Sequence, residues 1–179
     1  MTIEGGGIMV IWLSGAYGVG KSTVAKVLAK KLENAMIFDA EEVGNAVRGN
    51  YPNAPYGYIF EDYPLWADFC RRLIRDVHDT FGKNIIVDMT LVRKSSKETI
   101  IDGLKKDGID VYFFVLTASR QTIHDRILVR GEGEDCWCME NLDMAMEKSA
   151  ALDGAVYIDT QGVDPDAIAE QILAALCIL

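Results

Sequence analysis

The segment Gly15-Ala-Tyr-Gly-Val-Gly-Lys21-Ser22 sets a lysine and a hydroxyl residue directly behind three glycines, filling every fixed position of GxxxxGK[ST]. Residues of these types at this spacing bind phosphate. Gly15, Gly18 and Gly20 let the backbone curl without Cβ clashes, so that the run from Gly15 through Ala16, Tyr17, Gly18 and Val19 to Thr23 can cradle an anion. Lys21 reaches toward β- and γ-phosphates, and the Ser22 hydroxyl is placed to ligate Mg²⁺. The bland alternative is a glycine turn that only joins a strand to a helix. The context favours the phosphate reading, because an apolar run precedes the loop and a helical pattern follows it, aiming backbone N–H groups and the positive helix end at the ligand. The guanine-selecting tetrapeptide NKxD is absent, which tilts the base toward adenine and the expected ligands toward ATP with Mg²⁺.

Two carboxylates and two arginines could complete such chemistry. Asp39 follows Met36-Ile-Phe38 and Asp88 ends Ile85-Ile-Val-Asp88. Ligands of α/β sheets bind beyond the carboxyl ends of strands, so both should face the phosphate loop. Asp88 suits Mg²⁺, and Asp39 suits an acceptor hydroxyl whose proton it would take or orient. Either could instead be an ordinary helix cap, and Glu41 and Glu42 make that plausible for Asp39. Arg126 and Arg130 lie four apart and share a helical face. One could stack on a base while the other neutralises a transferring phosphate, or both could be solvated surface arginines.

The elements that must position these groups are legible as alternating patterns. Five short apolar runs, Ile8 to Leu13, Met36 to Phe38, Ile85 to Val87, Val111 to Leu116 and Val156 to Ile158, alternate with stretches of helical period. That is the pattern of βαβ units with a parallel sheet. The first helix is expected from Ser22 to Leu32. Asp62-Tyr-Pro64 marks a helix start ahead of Leu65, Phe69, Leu73 and Val77, and Ser95 with Glu98 has capping-box spacing ahead of Ile100, Ile101 and Leu104. Asp164-Pro165 opens the last helix, whose apolar residues run on to Leu179. Trp12, Trp66 and the Phe and Leu stripe are expected in the core, and His78 and His124 in structural roles. The Gly49–Phe60 and Gly131–Cys138 stretches read as loops over a site, and Tyr56, Tyr58 and Phe60 could touch a ligand there.

Composition narrows the class. A length of 179 residues, half of them apolar and 25% charged, is about one domain and neither disordered nor fibrous. Eighteen basic against 27 acidic residues give a net charge of −9, which argues against a nucleic-acid scaffold. Cys70, Cys136, Cys138 and Cys177 show no CxxC pair, so reduced, mostly buried thiols in a cytoplasmic protein are expected. No apolar run approaches the roughly 18 residues of a membrane span. Residues 1–7 read as a flexible leader and residues 8–179 as a single domain.

On its phosphate loop with Ile-Trp-Leu-Ser-Gly15, on Phe-Asp39-Ala-Glu-Glu-Val-Gly44 with Arg48, on Tyr63-Pro-Leu-Trp66 and on Val87-Asp-Met-Thr90, the chain resembles the tunicamycin-resistance ATP-binding proteins, within the small P-loop kinases. The resemblance covers nearly everything from Ile8 onward. It implies a three-layer α/β/α fold around a five-stranded parallel sheet in the order 2-3-1-4-5, with a short lid near residues 131–138 over ATP. It further implies that Arg126 covers the adenine, that Arg130 touches phosphate, and that Gln161 and Gly162 brush the adenine edge. In an acceptor region of about residues 40–80, Asp39, Arg48 and Tyr63 are the substrate candidates, joined by Arg93 from beyond it. The leading expectation is an ATP- and Mg²⁺-dependent kinase acting on a nucleoside antibiotic or similar small molecule, with no nucleic-acid partner. A non-catalytic binder that sequesters the antibiotic, perched at a membrane surface or not, is the second. A metabolic kinase for a nucleotide, sugar or shikimate-like acceptor is the third. A nucleotide acceptor would want convergent arginines, and Arg48, Arg71, Arg72 and Arg93 are the candidates.

Overall fold

The five apolar runs form five parallel strands. In the computed structural model, which describes residues 7–176, these are β1 (Met9–Gly15), β2 (Ala35–Phe38), β3 (Asn84–Val87), β4 (Asp110–Thr117) and β5 (Val156–Asp159). They pair in the order β2-β3-β1-β4-β5, as the resemblance implied. β1 lies between β3, through Val10↔Ile85 to Trp12↔Val87, and β4, through Met9↔Asp110 to Gly15↔Leu116. All strands point the same way, so the segments that follow them emerge along one edge. Except for Gly7, the expected leader lies outside the described residues, as does the last apolar stretch from Cys177.

Helices cover both faces. Successive β1 side chains alternate between two cores, as a strand's pleat requires. Met9, Ile11 and Leu13 pack with α1 (Lys21–Lys31), α6 (Arg120–Val129), α7 (Leu142–Ala150) and α8 (Pro165–Leu176) through Leu28, Ile123, Leu142 and Ile172. Val10 and Trp12 pack with α2 (Ala40–Gly49) and α3 (Trp66–Phe81) through Val47, Trp66 and Ile74. The same core takes Ile100 and Leu104 from a continuous helix in which α4 (Lys94–Lys97) and α5 (Gly103–Lys106) are joined by a π turn, Glu98–Asp102.

Three local expectations are corrected. The α3 face carrying Leu65, Phe69 and Leu73 is not core; these side chains are 44%, 46% and 45% exposed. The buried row is one residue on, at Trp66, Cys70 and Ile74. Both rows have the same four-residue period, and Trp66 decides between them: it buries the larger surface and its Nε1–H donates to the Ala40 carbonyl at 3.0 Å. Asp62 caps no helix; it closes the short 3₁₀ turn Phe60–Asp62 and pairs with Arg93. Ser95 and Glu98 form no capping box, because the helix already begins at Lys94. Instead the Glu61 carboxylate accepts the Val92 and Arg93 N–H groups at 2.7 and 2.9 Å, a remote cap that local spacing cannot reveal.

Candidate functional site

The loop between β1 and α1 can be built only from the residues it has. Gly15 and Gly18 adopt φ of 126° and 82°. A Cβ on Gly15 would collide with the Leu116 carbonyl, and one on Gly18 would stand 2.7 Å from Ile127 Cγ1. Lys21 is buried, and its Nζ donates to the carbonyls of Gly15 and Ala16 at 3.0 and 2.9 Å. Burial pushes its pKa down to about 8, against the pull of Asp88 and Glu41. The segment after β3 is tied to the same loop: Thr90 Oγ1 donates to the Gly15 carbonyl and the Leu91 N–H to Ser14 Oγ, each at 2.9 Å. The buried Trp12 donates to the Met89 carbonyl at 2.9 Å.

A cavity of about 960 Å³ opens at this edge. Residues 17 to 24 of the phosphate loop and α1 line it, Lys21, Ser22 and Thr23 among them, together with Asp88 from the end of β3. The adjacency of β1 and β3 brings these distant residues together. Gly15 and Ala16 serve through their carbonyls, behind the lining.

Arg126 and Arg130 both line the cavity, in unlike states. Arg126 Nη1 donates to the Val19 carbonyl at 2.9 Å and Thr160 Oγ1 at 3.0 Å, and its Nη2 to the Thr160 carbonyl at 2.8 Å. It is a fixed plate between the phosphate loop and the loop after β5. Arg130 is half-exposed and paired with Glu132 at 2.9 Å. Gln161 and Gly162 do not line the cavity: the Gln161 side chain turns back to accept the Ser119 N–H at 3.1 Å, and Thr160 and Val163 take their place. Thr160 left no motif in the sequence.

The acceptor-side expectations divide in the same way. Asp39 is the N-cap of α2, with Oδ1 accepting the Glu41 and Glu42 N–H groups at 3.0 Å each, and it does not line the cavity. Glu41 does, exposed toward it and with its pKa raised by partial burial and then by Asp39 and Asp88. Tyr63 is 1% exposed and donates to the Gly57 carbonyl at 3.1 Å; it supports the 50–59 loop from below, in edge contacts with Tyr51 and Tyr56. Arg93 does not line the cavity either, since Asp62 holds it at 3.0 and 3.2 Å. Arg48 lines it with its guanidinium 5.4 Å from the Tyr58 ring centre and 5.2 Å from that of Phe60. Glu61 lines it as well, and burial lifts its pKa to about 7 against the two N–H bonds that favour its charge.

The 131–138 segment meets the loop where Trp137 packs edge-on against Tyr17, ring centres 4.8 Å apart. Cys138 faces the cavity with its thiol pushed up to about 11, by burial first and Glu132 next, so it stays protonated. His78 and His124 pair with carboxylates away from the cavity. Among the described residues there is no cluster of three metal-ligating side chains and no helix long and apolar enough to cross a membrane.

Comparison with known proteins agrees with this geometry. The family described as an AAA domain matches residues 10–143, which contain the phosphate loop, Asp88, Arg126 and Arg130. The chain belongs to that family. No curated protein matches it. Among solved structures, this AAA-domain chain is similar to the tunicamycin resistance protein of Deinococcus radiodurans, with TM-score 0.77 and 24% identity over 94% of this chain and 95% of the other. It is also similar to a sugar kinase from Janibacter sp. HTCC2649, with TM-score 0.71 and 16% identity over 96% and 95%. The APS kinase CysC of Mycobacterium tuberculosis, in complex with AMPPNP and APS, gives TM-score 0.61 and 17% identity over 94% and 97%. At these identities the likeness is one of fold: a P-loop kinase-like sheet flanked by helices.

Proposed function

We propose that the protein is an ATP- and Mg²⁺-dependent phosphotransferase that phosphorylates a hydroxyl of a small molecule. The observation behind this reading is that Lys21, Ser22 and Asp88 share one cavity with the carboxylate of Glu41. The residues fit a nucleotide: the loop curls where only glycine can, and a buried ammonium rests on carbonyls it can exchange for phosphate oxygens. Ser22 and Asp88 would hold Mg²⁺, which takes its remaining ligands from phosphates and water. When bound, the nucleotide supplies the phosphoryl group and the metal ion offsets its charge.

The side chains then have separate tasks. Arg126, locked in its plane, offers a flat face to the base. Lys21 and Arg130 spread the charge that develops during transfer. Glu41 takes the proton from the acceptor hydroxyl onto a carboxylate oxygen, and Asp39, the expected proton acceptor, fixes the helix start from which Glu41 projects. Segment 131–138, latched by Trp137 on Tyr17, acts as a lid that excludes water. The similarity to a tunicamycin resistance protein supports a nucleoside antibiotic as acceptor. The free thiols of Cys70, Cys136 and Cys138 agree with a cytoplasmic site of action.

A second reading, sequestration without transfer, draws on the aromatic loop, where Tyr58 is 70% exposed. ATP consumption with a panel of nucleoside antibiotics, aminoglycosides, sugars and monophosphates, with product masses recorded, separates the two. Transfer gives a product heavier by one phosphoryl group, and Lys21→Ala lowers turnover by about 10²-fold or more. Stoichiometric binding with no heavier product selects sequestration, and turnover unchanged in Lys21→Ala overturns the mechanism.

A further inference from the structure

The acceptor side of the cavity is notable for what its positive groups are already doing. A phosphate or carboxylate on an acceptor needs convergent guanidinium groups, or backbone N–H groups at a helix start. Five arginines lie in or beside the acceptor region, and four are held by carboxylates: Arg71 by Asp107 at 2.8 Å, Arg72 by Asp68 at 2.8 Å, Arg75 by Asp79 at 3.4 Å and Arg93 by Asp62 at 3.0 Å. None of these four lines the cavity. The start of α2 is closed by Asp39, which accepts two of its first-turn N–H groups; Glu61 takes the Val92 and Arg93 N–H groups just ahead of α4, and the start of α3 lies off the cavity.

Of the four cations on the lining, Lys21, Arg126 and Arg130 serve the nucleotide on the proposed function. Arg48 is left for the acceptor, and it is laid over two aromatic rings with Nη2 donating to Asn45 Oδ1 at 3.0 Å. Beside it on the lining are the carboxylates of Glu41 and Glu61, with Asp88 behind them at the end of β3. On the acceptor side one cation, already engaged with rings and Asn45, stands against the carboxylates of Glu41 and Glu61, which leaves no free positive group among the described residues there to hold a further negative charge. Asp88 is committed to the metal on the proposed function. What the wall does offer is flat groups set together, Phe60, Arg48 and the exposed Tyr58, and the Arg48 N–H groups not given to Asn45 suit neutral oxygens.

We infer that the acceptor is a hydroxylated molecule bearing a flat ring and no phosphate or carboxylate, a nucleoside or an aryl glycoside, with its ring against the wall of Arg48, Tyr58 and Phe60. This deepens the proposed function and rests on it for the direction of transfer, while binding alone tests it. Matched pairs put the charge in question directly: thymidine against thymidine 5′-monophosphate, and 4-nitrophenyl glucoside against 4-nitrophenyl glucuronide. Each is titrated calorimetrically into the protein saturated with Mg²⁺ and a non-hydrolysable ATP analogue.

In at least one pair the uncharged member should bind at least about tenfold more tightly, the size expected of a like-charge contact at a partly buried site. The pair that responds tells nucleoside from glycoside. Asp62→Asn, which releases Arg93, should narrow the gap several-fold by tightening the charged member. The inference is overturned if the charged member binds equally or better in both pairs, if no member binds at millimolar concentration, or if a folded Asp62→Asn leaves the gap unchanged. Should that variant fail to fold, the wild-type pairs still decide. Loss of ATP turnover in Lys21→Ala is a separate readout, so transfer to the monophosphate would sink this inference and leave the phosphotransferase standing.

Discussion

Glu41 and Asp39 share a turn and differ in direction. Asp39 has one oxygen on two backbone N–H groups, whereas Glu41 faces the cavity within the field of Lys21 and Asp88. Glu41→Gln should therefore lower kcat by about 10²-fold or more with the nucleotide affinity nearly unchanged, the loss expected when a proton acceptor goes. Asp39→Asn should chiefly lower stability, by no more than about 1 kcal/mol since asparagine also caps well. Steady-state kinetics beside urea unfolding tell the two apart. Glu61 makes a pH prediction. Its pKa rises from 4.5 to about 7 on folding, so between those values the folded chain holds a proton the unfolded chain has lost. Its contribution is full below 4.5 and disappears as pH rises through 7. Relative to Glu61→Gln, wild type should gain on the order of 2 kcal/mol when the pH is lowered across that window, after discounting for partial exposure. Urea unfolding at both ends measures this.

At the scale of elements, the acceptor wall depends on a close approach of α2 to the Phe60–Asp62 turn. A Cβ on Gly44 would run into the Phe60 ring, on which Arg48 also lies. Gly44→Ala should improve local helix propensity and still destabilise by about 1–3 kcal/mol, because overpacking outweighs the fraction of a kcal/mol that alanine adds. Thermal unfolding gives the sign, and a weakened acceptor site would show that the ring has shifted. The cap that Glu61 supplies to α4 is of the same kind: two elements far apart in sequence share one polar contact.

Across the whole molecule, the choice of face on α3 decides which residues belong to the core. Trp66 is fully buried and its N–H is satisfied, so Trp66→Ala should cost about 3–5 kcal/mol. Phe69, three residues on, is half-exposed, and Phe69→Ser should stay within about 0.5 kcal/mol. Denaturant midpoints of the two variants check the assignment, and a large loss at Phe69 would mean that the stripe is covered. The sheet gathers the chemistry at its carboxyl edge, so that an acidic molecule of net charge −9 presents Lys21, Arg126 and Arg130 in one cleft.

The sequence by itself determined the five strands, the phosphate loop and the loop's neighbours in β1 and α1, because each is written in local spacing: apolar runs, glycines where Cβ cannot fit, and a lysine beside a serine. It also carried the family likeness through which the strand order could be stated. Only the tertiary structure decided which of Asp39 and Glu41 faces the cavity, that Thr160 rather than Gln161 lines it, and that Arg93 and Tyr63 are turned to other work. Those outcomes turn on competition between partners remote in the chain. A carboxylate goes where unpaired N–H groups or guanidinium groups are nearest, and a helix buries the face with the larger surface and the better-satisfied polar atom, neither of which spacing along the chain records.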